Sequence, residues 1–172
     1  MGGTTLMPVL YYRDPADGVY KALQAGPSAY EPYISVYRGS TGQTISPSTN
    51  TTIVWDGVEE QSGFNWSSGA NVTIPKSGIY HMEAVLAVTT GPTAGQLIHF
   101  GAYRNGAEDV MSRQPAPAQQ SPNAYIFSTD IRCITNDTMA LFVFVGTGTT
   151  TTFSPVTNRR LRTMMSLRWV HV

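Results

Sequence analysis

Residues 53–82, IVWDGVEEQSGFNWSSGANVTIPKSGIYHM, constrain the fold more than any other stretch of this chain. Val72 and Ile74 alternate with Asn71 and Thr73, the period of a half-buried strand. Pro75-Lys76-Ser77-Gly78 then reverses the chain. Proline has no N–H to give to a ladder, and glycine enters backbone regions that other residues avoid. Ile79–Val88 predicts the next strand, with Tyr80, Met82, Ala84, Leu86 and Val88 on one face. Upstream, Ile53–Asp56 reads as a short strand, Asp56, Glu59 and Glu60 as an acidic turn, and Gly63–Trp66 as an aromatic loop.

The remaining chain reads the same way. Gln96–Arg104 predicts a strand closed by Asn105-Gly106, and Ala124–Ile134 another. Glu108–Asn123 holds Pro115, Pro117 and Pro122 without an apolar period, so a surface loop is expected there. Met139–Val145 is the most apolar run, Gly146–Thr152 a Gly/Thr loop, and Arg160–Val172 the closing strand. No segment of useful length has a helical period. Short strands at this spacing, without intervening helices, predict an all-β sandwich or jelly roll. Tyr80, Met82, Leu86, Val72, Ile74 and Trp169 are the expected core.

Several of these segments resemble the C1q-like domain: Ile53-Val54-Trp55-Asp56, Gly63-Phe64-Asn65-Trp66, and Val72–Tyr80 with its Pro-x-x-Gly-x-Tyr ending. Tyr33–Arg38 sits where that family has its first aromatic strand. Ala102-Tyr103-Arg104-Asn105-Gly106 resembles its Asn-Gly hairpin, and Thr135–Thr138 followed by Leu141–Val145 its turn-Asp-strand element. The resemblance covers residues 32–172 and implies a C1q/TNF-like jelly roll that associates as a homotrimer. Two features depart from the family: Met164–Trp169 lacks the glycine of its last strand, and no Gly-X-Y stalk precedes the domain.

Residues 1–31 read as a separate leader. Val9–Arg13, Asp14–Gly18 and Val19–Leu23 form strand, turn and strand, and Ala25–Ala29 a linker. An isolated two-stranded hairpin is marginal in water, so this one must dock on something. Tyr11, Tyr12 and Tyr20 are its expected attachment residues. The pattern Tyr12-Arg13-Asp14-Pro15-x-x-Gly18-x-Tyr20 resembles the opening of minor structural proteins of tailed bacteriophages. That resemblance implies a virion protein assembled in the host bacterial cytoplasm. It contacts other virion proteins through the leader and a host surface glycan or protein through the jelly roll. A tail-tip or fibre head is the first reading. A capsid decoration or head-fibre protein is the second, and a secreted C1q-like carbohydrate- or protein-binding module the third.

Composition narrows the partners. The net charge is +0 and charged residues make up 13%, which disfavours nucleic acid. So few charges also suggest that copies of the chain cover part of its surface. Met139, Leu141, Val143 and Val145 occupy one face of their strand, and Ala140, Phe142 and Phe144 the other. A sandwich strand needs one apolar face, so Phe142 and Phe144 are the expected trimer contact, a covering loop being the plain alternative. The start, MGGTTLMPVL, lacks a basic segment and a long apolar run, so export by a signal peptide is not expected. Nor does any stretch approach a membrane span. Asn50, Asn65, Asn71 and Asn136 match the glycosylation pattern and are read as chance matches.

Chemistry-bearing patterns are sparse. No nucleophile-elbow, phosphate-loop or dinucleotide motif occurs, so no enzyme, cofactor or metal is expected. His81, His99 and His171 lie in separate strands without ligand spacing; His81 and His99 either meet across strands or stand alone. Asp56, Glu59 and Glu60 suit a solvated turn or a calcium loop. Arg159, Arg160, Arg162 and Arg168 form a basic stripe that either meets an anionic glycan or a neighbouring subunit's acids, or is simply solvated. Phe64 and Trp66 mark a candidate recognition loop; the resemblance implies an aromatic here that packs inward, which favours core for Trp66 and leaves Phe64 open. Cys133, alternating with Ile131, reads as a buried thiol.

Overall fold

A computed structural model of the chain describes residues 11–13, 20–22, 31–39, 42–90, 96–115, 123–146, 151–153 and 162–171. The chain divides into two compact units, Met1–Tyr30 and Glu31–Val172. In the first, β1 (Tyr11–Arg13) pairs antiparallel with β2 (Tyr20–Ala22), Tyr12 opposite Lys21. The turn at Asp14–Gly18, the linker at Ala25–Ala29 and the side chains of Tyr11, Tyr12 and Tyr20 lie outside the described residues.

The second unit is a sandwich of two antiparallel sheets, with no helix among the described residues. Its strands are β3 (Tyr33–Tyr37), β4 (Gln43–Ile45), β5 (Thr51–Thr52), β6 (Gly57–Ser62), β7 (Val72–Thr73), β8 (Gly78–Thr90), β9 (Leu97–Arg104), β10 (Ala107–Pro115), β11 (Asn123–Cys133), β12 (Thr138–Val145), β13 (Thr151–Phe153) and β14 (Met164–His171). One sheet of seven strands runs β4-β13-β8-β14-β3-β6, with β11 also on β8. The other, of five, runs β10-β9-β12-β5, with β7 also on β12.

Alternation fills the space between the sheets. Tyr80, Met82, Ala84, Leu86 and Val88 of β8 face Ile98, Phe100 and Ala102 of β9 and Met139, Leu141, Val143 and Val145 of β12, all buried. Val72 and Ile74 join them. Trp169 is only half-buried: Lys76 Nζ stands 3.9 Å from the centre of its ring, and its indole N–H reaches Ser77 O at 3.3 Å. It packs against the edge of the core beside the Pro75–Gly78 turn, half-buried where full burial was expected. Cys133 is buried against Met139, Sγ to Sδ 3.7 Å, and burial pushes its thiol up to about 11.

Several segments differ from the sequence reading. Gly57–Ser62, containing Glu59 and Glu60, is strand β6 and not a turn; Ile53 and Val54, expected in a strand, precede it without ladder pairing. Ala107–Pro115 is strand β10 and not a loop. Both are edge strands, paired on one side only, where polar residues and proline are tolerated. Thr151–Phe153 is likewise strand β13, so the Gly/Thr loop ends earlier than expected.

The hairpin turn between β9 and β10 locks into another turn. Asn105 and Gly106 both have positive φ, 53° and 78°, the geometry that Asn-Gly favours. The Asn105 amide donates to Asp137 at 2.7 Å, and its oxygen accepts from the Thr138 N–H at 2.8 Å. Asp137 is buried and also accepts the Ile134 N–H at 2.8 Å. The Asn105 bond first, then the Ile134 bond, hold its carboxyl below the usual carboxylate range. A carboxyl more acidic in the folded chain stabilises the fold above its unfolded pKa, and that contribution is lost as pH falls through the lowered value. Acid titration of thermal stability is expected to fall less steeply in Asp137→Asn than in the parent. Parallel curves for the two proteins would contradict this.

Candidate binding site

The outer face of the seven-stranded sheet carries a polar cluster. Register builds it. Asp130 of β11 stands opposite His81 of β8, His81 opposite Arg168 of β14, and Arg168 opposite Tyr33 of β3. One step along, Ser128, Glu83, Ser166 and Ser35 form the next row. These residues are the outward members of strands whose inward members fill the core, so core patterning fixes where they point.

Tyr33, His81, Glu83, Ser166 and Arg168 line a hollow of about 220 Å³. His81 is braced on its far side. Its Nδ1 lies 2.7 Å from Asp130 Oδ1, and its Nε2 3.3 Å from Ser128 Oγ. An ionised carboxylate only accepts, so Nδ1–H donates to Asp130, and in the neutral ring Nε2 accepts from the Ser128 hydroxyl. Hydroxyl, imidazole and carboxylate stand in the order that activates a serine nucleophile. Glu83, however, is directly opposite Ser128. A carboxylate there opposes the negative charge that acyl transfer develops beside the nucleophile. What the arrangement does is fix the imidazole as one wall of the hollow.

The other walls hold unspent bonding capacity. Glu83 and Arg168 are exposed, on adjacent strands one row apart, yet neither enters an ion pair among the described residues. The hollow thus presents a guanidinium, a carboxylate, the Ser166 hydroxyl and the half-buried Tyr33 ring to one small volume.

Other residues singled out in the sequence are placed differently. Phe64 and Trp66 are both buried, at 8% exposure each: Trp66 takes the core place favoured for it, and Phe64 joins it, so the pair is not a recognition loop. Phe64 meets Tyr80 edge-on at 6.2 Å, and the Trp66 indole N–H donates to Asn71 O at 2.8 Å. Phe142 is also fully buried within this one chain. Its ring lies over Gly101 and stacks on Tyr103 at 4.3 Å, so intrachain groups cover the second face of β12 at this point. Phe144 remains half-buried, 5.2 Å from the His99 ring.

His81 and His99 stand in different sheets and do not meet. Asp56 accepts the Gly39 N–H at 2.5 Å, and Glu59 pairs with Arg162, which also covers the Tyr37 ring at 4.6 Å. Two members of the acidic trio are thus engaged within the chain. No group of three metal-ligating side chains occurs among the described residues. Of the arginine stripe, Arg162 is engaged, Arg168 lines the hollow, and Arg159 and Arg160 lie outside the described residues. Sequence reasoning missed the hollow as a unit. Its trace was the polar alternation His81/Glu83 and Ser166/Arg168 in otherwise apolar strands.

In fold, the chain is similar to the crystal structure of murine APRIL at pH 8.5. The match covers 81% of this chain and 99% of that chain, with a TM-score of 0.58 and 12% identity. It is also similar to Eiger TNF from S. frugiperda, over 81% of this chain and 93% of that one, with a TM-score of 0.55 and 12% identity. The fold is a C1q/TNF-like jelly roll. No family model matches the sequence, and no curated protein matches it.

Proposed function

We propose that the chain is a non-enzymatic structural protein of a tailed-phage virion, a homotrimer whose jelly roll is a tail-tip or fibre head that adheres to the host surface. The observation that carries this reading is the two-part build. A short paired leader bearing the Tyr-Arg-Asp-Pro-x-x-Gly-x-Tyr pattern precedes a jelly roll of the C1q/TNF kind. Immunogold labelling of particles, with antibody against the purified protein, tests it. Label confined to the tail tip supports a tail-tip or fibre head. Label spread over the shell makes the protein a capsid decoration, and unlabelled particles sink the virion reading.

The trimeric habit follows from the resemblance, and the two outer faces differ in what they offer a second copy. That of the five-stranded sheet is the more apolar, with His99 and Glu108 among its polar members. Leu97 is 46% exposed and Met111 36%, with Phe144 and Tyr103 half-buried beside them. That of the seven-stranded sheet carries Glu83, Asp130, Arg132 and Arg168. Stable interfaces exclude unpaired charge and bury upward of about 2,000 Å² in total, so the more apolar face is the contact. Phe144→Glu is expected to give monomers in light scattering at micromolar concentration. Ile126→Glu, on the opposite outer face, is expected to remain trimeric. Dissociation of the second variant alone would move the contact to the charged sheet.

A further inference from the structure

The geometry points to the hollow lined by Tyr33, His81, Glu83, Ser166 and Arg168 as a binding site for a carboxylated sugar, a hexuronic acid residue of a surface glycan. The inference rests on reading the jelly roll as an adhesion head and names the ligand class of that head.

Three features select this chemistry. First, Arg168 presents an unpaired guanidinium, whose planar fork matches a carboxylate in two parallel hydrogen bonds. Second, the acceptor nearby is a carboxylate. Glu83 has no donor of its own, and a sugar's hydroxyls supply donors without adding charge. A plain anion such as phosphate would satisfy Arg168 and be repelled by Glu83. A plain cation would do the reverse. A uronic acid carries its charge at one corner and hydroxyls around the rest of the ring, so it answers both walls. Third, Tyr33 offers a half-buried aromatic ring, against which the C–H face of a pyranose packs.

The spacing of the walls and one of the walls are set in advance. Strand register sets the spacing of Arg168, His81 and Tyr33. Asp130 and Ser128 fix the imidazole between them. Pre-set walls lower the ordering cost of binding. At about 220 Å³ the hollow suits one monosaccharide residue and not a run of them.

Glucuronic acid and glucose, titrated separately into the full-length protein and followed by saturation-transfer NMR, test the assignment. Glucuronic acid is expected to bind in preference to glucose. Arg168→Gln should weaken glucuronic acid about tenfold or more and abolish the preference, and Glu83→Gln should weaken both sugars. Both positions are exposed, so unchanged melting temperatures will certify the variants as folded. Equal binding of the two sugars, no binding of either, or a preference that survives Arg168→Gln would overturn the proposal. A second copy of the chain is the competing occupant. Oxidised Ser166→Cys protein that cross-links between copies would show the hollow filled by a subunit, and would equally overturn it. Failure at any of these points leaves the particle location untouched. Binding in a protein absent from particles would sink the virion reading alone.

Discussion

Tyr80→Ala is expected to lower the unfolding free energy by about 3–5 kcal/mol, the range for deleting a buried aromatic side chain. Tyr80 has no exposed surface. Its ring takes the edge of Phe64, and its hydroxyl crosses to the Pro75–Gly78 turn to donate to Lys76 O at 2.8 Å. Removing it opens a cavity between the sheets and leaves the Lys76 carbonyl without this donor. Burial also pushes the phenol up to about 12, a sign of how little water reaches it. Tyr80→Phe separates the two contributions: it keeps the ring, loses one hydrogen bond, and should cost about 1 kcal/mol. Urea unfolding of both variants makes the comparison. A loss below about 1 kcal/mol for the alanine variant would mean that the site collapses around the missing ring, against the packing described.

Gly101→Ala is expected to cost about 3 kcal/mol, at the upper end for forcing extra atoms into a packed site. A Cβ there would lie 2.1 Å from Val110 O, 3.0 Å from the Met111 Cα and 2.7 Å from Phe142 Cε1. Two of these are backbone atoms of the neighbouring strand and cannot rotate away. Strand β10 must therefore move off β9, and Phe142 must shift from its place under Tyr103. The second shift has a spectroscopic trace, since the Tyr103–Phe142 stack and the Asn50–Tyr103 bond at 3.0 Å go together. Near-ultraviolet circular dichroism should change along with stability. A variant as stable as the parent, with the same spectrum, would show that the two sheet strands are not held this closely.

The two cases mark what was legible in the sequence. Tyr80 was legible because β8 alternates without interruption and its turn carries proline and glycine at positions only they fill well. The Asn105-Gly106 hairpin was legible for the same local reason. Gly101 was not, because its neighbours come from Val110 and Phe142, which only strand register brings close. Edge strands misled the reading most. In β6 and β10 one side of the ladder is unpaired, so selection for apolar alternation is weak, and acids or prolines there mimic turns. Phe64 was left open because a Gly/Ser-rich loop usually lies outside, whereas this one turns its ring inward against Tyr80; Trp66 was legible as core and is buried. The hollow drew its five walls from three strands, and only pairing of β3, β14 and β8 assembles them. Periodicity told which of those residues face outward. It did not tell that they share a place.

The first and last strands of the jelly roll, β3 and β14, lie side by side and antiparallel, and the Trp169 N–H donates to Pro32 O at 2.8 Å where they begin and end. Force applied between residue 31 and the C-terminus therefore pulls both strands from the same end. The bonds from Tyr33 with Arg168 to Tyr37 with Met164 then bear load one after another, as in a zip, and never all together in shear. A domain strung between those two points yields early.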